Sequence, residues 1–213
     1  MSEKLSDIWQ DPAEAVGELL LEKGIEKAAP ALSQVPLLSF VIAAYKSKGV
    51  ISDYLLAQKV QKFYTAWDDL PEKERQSIYK KFQQKPRAFT EKLLFILAQQ
   101  EDLAKCKLLG VLTTSYLGGK LKRAEYMDFI ETVAHVSLRD LQLLNKIMTY
   151  GVILPERKVG ERYASLFIGR GLLESEPSLP HEQRDSEERF YRITKLGVAF
   201  AEQVSLSGLE EKT

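Results

Sequence analysis

Apolar residues recur at helical spacing through most of this chain. Between residues 53 and 70, Leu56, Val60, Phe63 and Trp67 lie at i, i+4, i+7 and i+11, which places them on one side of a helix. Related patterns begin near Asp11, Pro36, Pro71, Pro86, Asp102, residue 122 and Ser137, and several of these starts carry a capping residue or a first-turn proline. The pattern predicts a mainly α protein.

The periodicity changes in the last third of the chain. A helix predicted over 159–169 is followed by two strand-like segments, LLESEP and ERFYRIT, which flank a polar loop at 177–188. Thr194 then suits the N-cap of a final helix. This order predicts a winged-helix-like C-terminal unit with a small two-stranded wing. We therefore expect a helical domain over 11–135 and a winged-helix-like domain over 136–206.

Composition and charge limit the class of protein. The chain has 213 residues, of which 45% are hydrophobic and 28% charged, as in ordinary globular proteins. The formal net charge of zero conceals an uneven distribution: residues 1–43 carry −4, residues 44–125 carry +7 and residues 139–213 carry −1. The basic middle could face an external anionic partner. The interpretation we favour is that it docks on the acidic N-terminal helix of the same chain.

The longest uncharged segment is Ala28–Tyr45, AAPALSQVPLLSFVIAAY. Pro30 interrupts this segment, and a predicted apolar helix covers only residues 35–45, with Pro36 in its first turn. These eleven residues are fewer than the roughly 20 that a membrane span needs. A buried core helix is the favoured prediction, and a membrane-surface or re-entrant helix is the alternative. The candidate residues for contact with a membrane or a partner are Leu37, Leu38, Phe40, Val41, Lys46 and Lys48.

The winged-helix-like unit also suggests DNA binding. In such units one helix enters the major groove and the wing touches the backbone. The candidate residues for binding nucleic acid or another anion are Arg157, Lys158, Arg162, Arg170, Arg189 and Arg192. The same unit is rich in Asp and Glu, which would oppose phosphate contacts, so a protein-interaction role is favoured.

Aromatic residues are interleaved with the basic residues of segment 59–92. They are Phe63, Tyr64, Trp67, Tyr79, Phe82 and Phe89. Basic residues with aromatics can stack nucleotides. Aromatics at helical spacing more often form a core, and we expect that role here.

No catalytic, metal or cofactor motif is evident. The chain lacks a phosphate-binding P-loop, a Gly-x-Gly-x-x-Gly turn and a Gly-x-Ser-x-Gly elbow. His135 and His181 have no cysteine or histidine close to them in sequence, and the one cysteine, Cys106, lies in an apolar helical pattern that suggests a buried thiol. We therefore expect no enzymatic activity and no cofactor. The absence of a secretory signal pattern suggests a cytoplasmic protein, with membrane association as the alternative.

Three segments resemble bacterial proteins of the abortive-infection Abi-alpha kind and related helical proteins of phage and plasmid origin. They are VPLLSFVIAAYKSKGVISDYLLAQKVQKFY, YMDFIETVAHVSLRDLQLL and GRGLLESEP followed by FYRITKLGVAFAEQV. The similarity covers about residues 30–206. It consists of apolar patterns, so no catalytic position transfers, and this chain differs through a shorter, more basic segment after Tyr45. The resemblance implies a role in phage defence or in a mobile element.

These observations predict a non-enzymatic bacterial protein that acts through protein interaction, with a protein partner or by self-association, in phage defence. One alternative is a membrane-active effector that uses residues 35–45 at an anionic membrane surface. The other alternative is a DNA-binding regulator that uses the winged-helix-like unit.

Overall fold

The computed structural model describes residues 50–68, 70–148, 153–176 and 189–208. These residues are mainly helical and include one small antiparallel sheet. The chain divides into two compact units, residues 1–126 and 127–213. The predicted boundary at residues 135 and 136 stays a prediction, as does every inference about residues 28–48, which lie outside the described part.

The described part of the first unit is formed by helices. They are α1 (Val50–Asp68), α2 (Glu72–Gln83), α3 (Arg87–Gln99), α4 (Leu103–Gly118) and the start of α5 (Arg123–His135). Pro71 and Pro86 stand immediately before α2 and α3, and the Asp102 carboxylate accepts the N–H of Ala104 to cap α4. Gly119 ends α4 in the left-handed conformation, with φ of 84°. The predicted starts of α2, α3 and α4 and the predicted end of α4 are therefore confirmed, whereas α1 begins at Val50, before the start predicted at residue 53.

Helix α4 is the centre of the first unit, and its most extensive contact is with α1. Nearly all of its residues are buried, from Lys105 to Leu117. Gly110 allows the close approach, because a Cβ there would collide with the backbone carbonyl of Phe63. Most of the interleaved aromatics line this core: Phe63, Tyr64, Trp67 and Phe82 are all at most 1% exposed. Their predicted role in the core is confirmed.

The second unit combines helices with the sheet. After the end of α5 come α6 (Leu138–Met148), β1 (Ile153–Pro155), α7 (Glu156–Val159), α8 (Glu161–Gly169), β2 (Leu173–Ser175), β3 (Phe190–Ile193) and α9 (Lys195–Leu206). The strand order is β1-β3-β2, and both pairings are antiparallel. Gly160, with φ of 80°, separates α7 from α8, so the helix predicted over 159–169 begins two residues later.

The core of this unit lies between its helices and the inner side of the sheet. Phe129 of α5 and Phe200 of α9 are buried, with ring centroids 4.8 Å apart. The Thr194 hydroxyl accepts the Gly197 N–H at 2.9 Å, which confirms the predicted cap of α9.

One strand was not expected. The two predicted wing strands correspond to β2 and β3, but residues 153–155 add a third strand in a segment where no strand was predicted. Pro155 fits because it ends an edge strand, where its missing N–H costs no ladder bond, and it stands directly before α7.

Candidate functional site

The outward face of the sheet carries a row of side chains across all three strands. Ile153 of β1 is paired with Arg192 of β3, and Arg192 is paired on its other side with Glu174 of β2. All three are exposed, and Ile153 retains 41% of its surface. We call Ile153, Glu174, Glu176 and Arg192 the sheet face. It mixes an apolar residue with charges of both signs.

The charges of the sheet face are paired within the unit. The Arg192 guanidinium forms an ion pair with the Glu176 carboxylate, whose side chain is only 7% exposed. The guanidinium that was a candidate for phosphate binding is therefore engaged by a carboxylate of the same chain. An arginine held in this way has less capacity to neutralise a DNA phosphate than a solvated one.

A second polar cluster joins α7 to β3. The Tyr191 hydroxyl donates to Glu156 Oε1 at 3.1 Å, and the Glu156 N–H donates to the carbonyl of Arg189 at 2.9 Å. Burial raises the pKa of Tyr191, and the Glu156 carboxylate raises it further, while Arg189 opposes the rise. Tyr191 therefore stays a neutral hydrogen-bond donor. The backbone bond to Glu156 places Arg189 close to α7, and Lys158 of α7 is exposed.

The remaining candidate basic residues are distributed along α7 and α8. Arg162 is exposed on the first turn of α8, with its guanidinium carbon 5.8 Å from the centre of the Tyr163 ring. Arg170 follows the other end of α8 and is half-buried. The two are eight residues apart, which is about 12 Å along a helix. Arg157 lies in α7, and its side chain is outside the described set.

Sequence reasoning missed a pocket of about 260 Å³ in the first unit. It is lined by Lys81, Gln84, Lys85, Tyr116 and Leu117, which come from the end of α2, the link to α3 and the end of α4. More than thirty positions separate residues 81–85 from Tyr116 and Leu117, so no local sequence pattern brings the two sides of the pocket together. The available signal was the presence of Lys81 and Lys85 just before Pro86, in a segment without Asp or Glu.

In the described part of the chain, no group of three or more His, Cys, Asp or Glu residues has the geometry of a metal site. Cys106 is buried, as the sequence predicted. Within the same ranges, no helix combines the length and apolar composition that crossing a bilayer requires. The membrane candidates Leu37, Leu38, Phe40, Val41, Lys46 and Lys48 lie outside those ranges.

Comparison of this chain with protein-family models, with curated proteins and with solved structures finds no match.

Proposed function

We propose that this chain is a non-enzymatic bacterial protein that acts by binding another protein, a second copy of itself included, through its C-terminal unit. The resemblance to Abi-alpha proteins supports phage defence as its setting. The observation that carries the proposal is the Arg192–Glu176 ion pair on the sheet face. It engages the one cation of the sheet face, and Ile153 is exposed beside it.

A winged-helix-like arrangement of the second unit is part of the proposal. Its support is the order of the elements, in which α6, β1, α7, α8, β2 and β3 follow one another. Further support comes from the sheet, because its last strand lies between the first two. The short turn at Gly160 between α7 and α8 is consistent with a helix-turn-helix pair. Such a unit can serve as a protein-interaction module as well as a DNA reader.

The mixed character of the sheet face favours a protein over a nucleic acid. Protein interfaces combine exposed apolar residues with charge pairs at a polar rim. Ile153 supplies the apolar contact, and Glu174 lies across β3 from it. Glu174 is exposed and would repel a phosphate, whereas it can accept hydrogen bonds from a protein partner.

The test compares the full-length chain with the variant Ile153→Glu. Glutamate removes the apolar contact but lies opposite Arg192, a cross-strand pairing that the sheet tolerates. We expect the wild type to self-associate in sedimentation velocity or to co-purify with one protein at constant ratio, and Ile153→Glu to lose that association. The matched control is Leu206→Glu on α9, where the side chain is 65% exposed. A monodisperse wild-type monomer without a co-purifying protein would overturn the proposal.

DNA binding is the second candidate, and the specific support for it is Arg162. This residue is exposed on the first turn of α8, the helix that corresponds to the reading helix of a winged unit. On this alternative, Arg162→Ala weakens duplex binding and lowers its dependence on salt by about one counterion. If the wild type shows no salt-dependent retention of any duplex, the alternative fails and the protein-interaction proposal is strengthened.

A further inference from the structure

The basic pocket of the first unit has two ammonium groups held in fixed positions. Lys81 Nζ donates to the carbonyl oxygen of Leu117 at 3.0 Å, and Lys85 Nζ donates to the Tyr116 hydroxyl at 2.9 Å. Lys85 Nζ also lies 4.2 Å from the centre of the Tyr116 ring, a cation–π distance. An ammonium group carries three N–H donors, so each lysine retains donors for a ligand after these bonds.

Further basic residues lie close to the pocket residues in the sequence. Lys80 precedes Lys81 on α2, and Lys120, Lys122 and Arg123 follow the end of α4 within seven residues of Tyr116; all four are exposed. At Gly119 the chain turns back towards the last turn of α4, where the N–H of Lys120 donates to the carbonyl of Ser115 at 2.8 Å. The basic residues of the two segments are therefore gathered at one end of this unit.

Acidic residues are scarce in these segments. Residues 75–90 and 103–124 contain no Asp or Glu. Glu125 directly follows the second segment and accepts the backbone N–H of Lys122 at 2.7 Å. Within the two segments themselves, therefore, the positive charge has no carboxylate to compensate it. A concave surface with uncompensated charge of one sign concentrates counterions of the opposite sign.

The aromatic residues of the pocket are not available to stack on a nucleotide base. The Tyr116 ring stacks on Tyr126 with centroids 4.6 Å apart and an angle of 13° between the planes. Lys85 lies over the Tyr116 ring, so the two partners occupy its surface. Recognition in this pocket therefore depends on charge and hydrogen bonds. A phosphate group offers a compact anion with several acceptor oxygens, which suits two ammonium groups and the Gln84 amide converging on one cavity.

We propose that the pocket lined by Lys81, Gln84, Lys85 and Tyr116 binds a phosphate group, carried by a small phosphorylated ligand or a lipid headgroup. The proposal concerns the first unit, so it is independent of the protein-interaction proposal for the second unit. The bound phosphate would accept hydrogen bonds from Lys81 and Lys85 while both lysines keep their bonds to the end of α4.

The test measures binding of inorganic pyrophosphate to the full-length chain by calorimetry at low salt. We expect Lys85→Gln and, separately, Lys81→Gln to weaken binding by about tenfold or more, which corresponds to the loss of one charge-assisted hydrogen bond. The matched control is Lys73→Gln, which removes the same charge from α2 at a position about 12 Å along the helix from Lys81. Circular dichroism and the thermal midpoint verify that each variant is folded. If one of the two pocket variants is unstable, the other one tests the proposal.

The source of the phosphate is distinguished by two further probes. They are adenosine monophosphate and vesicles containing phosphatidylglycerol, each tested for dependence on Lys85. Binding of pyrophosphate with loss in both pocket variants supports the site, and the tighter of the two probes identifies the class of carrier. An equal loss in Lys73→Gln, or no binding of pyrophosphate, would overturn the proposal. So would Lys85-dependent binding of a peptide of residues 11–29 in place of pyrophosphate, since it would identify the acidic segment as the occupant.

Discussion

Gly110 of α4 lies directly against the backbone carbonyl of Phe63 on α1. A Cβ at position 110 would overlap that oxygen and would lie 2.8 Å from the Cβ of Ala66. No flexible side-chain end is involved, so neither helix could yield without moving its backbone. The absence of a side chain at this one position therefore sets how closely the two central helices of the first unit approach.

Gly110→Ala should destabilise the protein despite the higher helix propensity of alanine. We expect a loss of about 3 kcal/mol in the free energy of unfolding, because overpacking at a backbone contact forces the helices apart. Gly118→Ala is the control, since a Cβ there meets nothing within 4 Å. It should stabilise the protein by about 0.5 kcal/mol or more through propensity alone. Urea denaturation of both variants measures the difference, and equal effects would contradict the close contact.

Much of the first unit could be predicted from the sequence because its determinants are local. Asp102 caps α4, Gly119 ends it, and the apolar spacing of α1 identified its buried side. The strand at Ile153–Pro155 could not be predicted, because three residues show no periodicity and their partner β3 lies more than thirty residues later.

The same distinction between local and distant determinants applies to the candidate sites. The sequence identified Arg192 and Arg162 as cations, but only the fold shows that Arg192 is paired with Glu176. The pocket at Tyr116 depends on contacts between α2 and α4 across more than thirty residues. Helical periodicity shows which side of each helix is buried, but it does not show which helix covers it.

Thr194 connects the start of α9 to the turn before β2. Its hydroxyl accepts the Gly197 N–H and donates to the carbonyl of Gly171 at 2.7 Å. Thr194→Ala should lower the free energy of unfolding by about 1 to 2 kcal/mol, because it removes an N-cap and leaves that carbonyl without this donor. Thr194→Ser keeps the hydroxyl and should lose less than half as much. Thermal denaturation compares the two, and equal losses would show that the methyl group matters more than the hydrogen bonds.

Tyr126 and Thr113 form a buried hydrogen bond within the first unit. The Thr113 hydroxyl donates to the carbonyl of Leu109 at 2.8 Å, so the Tyr126 hydroxyl, 3.1 Å away, is the donor to Thr113. Tyr126→Phe should cost about 1 kcal/mol, whereas Thr113→Val should cost about 2 kcal/mol because it leaves a buried hydroxyl without its acceptor. In the double variant, the loss should fall below the sum of the two single losses by about 1 kcal/mol. Additive losses in urea denaturation would contradict the bond.

Cys106 should make the stability of the protein fall at alkaline pH. Burial raises the pKa of its thiol to about 12, only partly offset by the charge of Lys59. In the unfolded chain the thiol ionises near its ordinary pKa of about 8.5 to 9, while the folded state keeps the proton. The free energy of unfolding is therefore unaffected below about pH 8.5 and falls by up to about 1.4 kcal/mol per pH unit between about pH 9 and 12.

The measurement is urea denaturation at intervals from pH 8 to about pH 9.3, where most tyrosines of the unfolded chain are still protonated. Cys106→Ala lowers the free energy of unfolding at every pH, because it leaves a small cavity against α1. The wild type should lose more stability than the variant as the pH rises through this range, so the difference between the two proteins should shrink. Native Cys106 should also react with a thiol reagent only as fast as the protein opens, since the thiol is buried. A constant difference between wild type and variant, or rapid labelling of the native protein, would show that the thiol is not held protonated in the core.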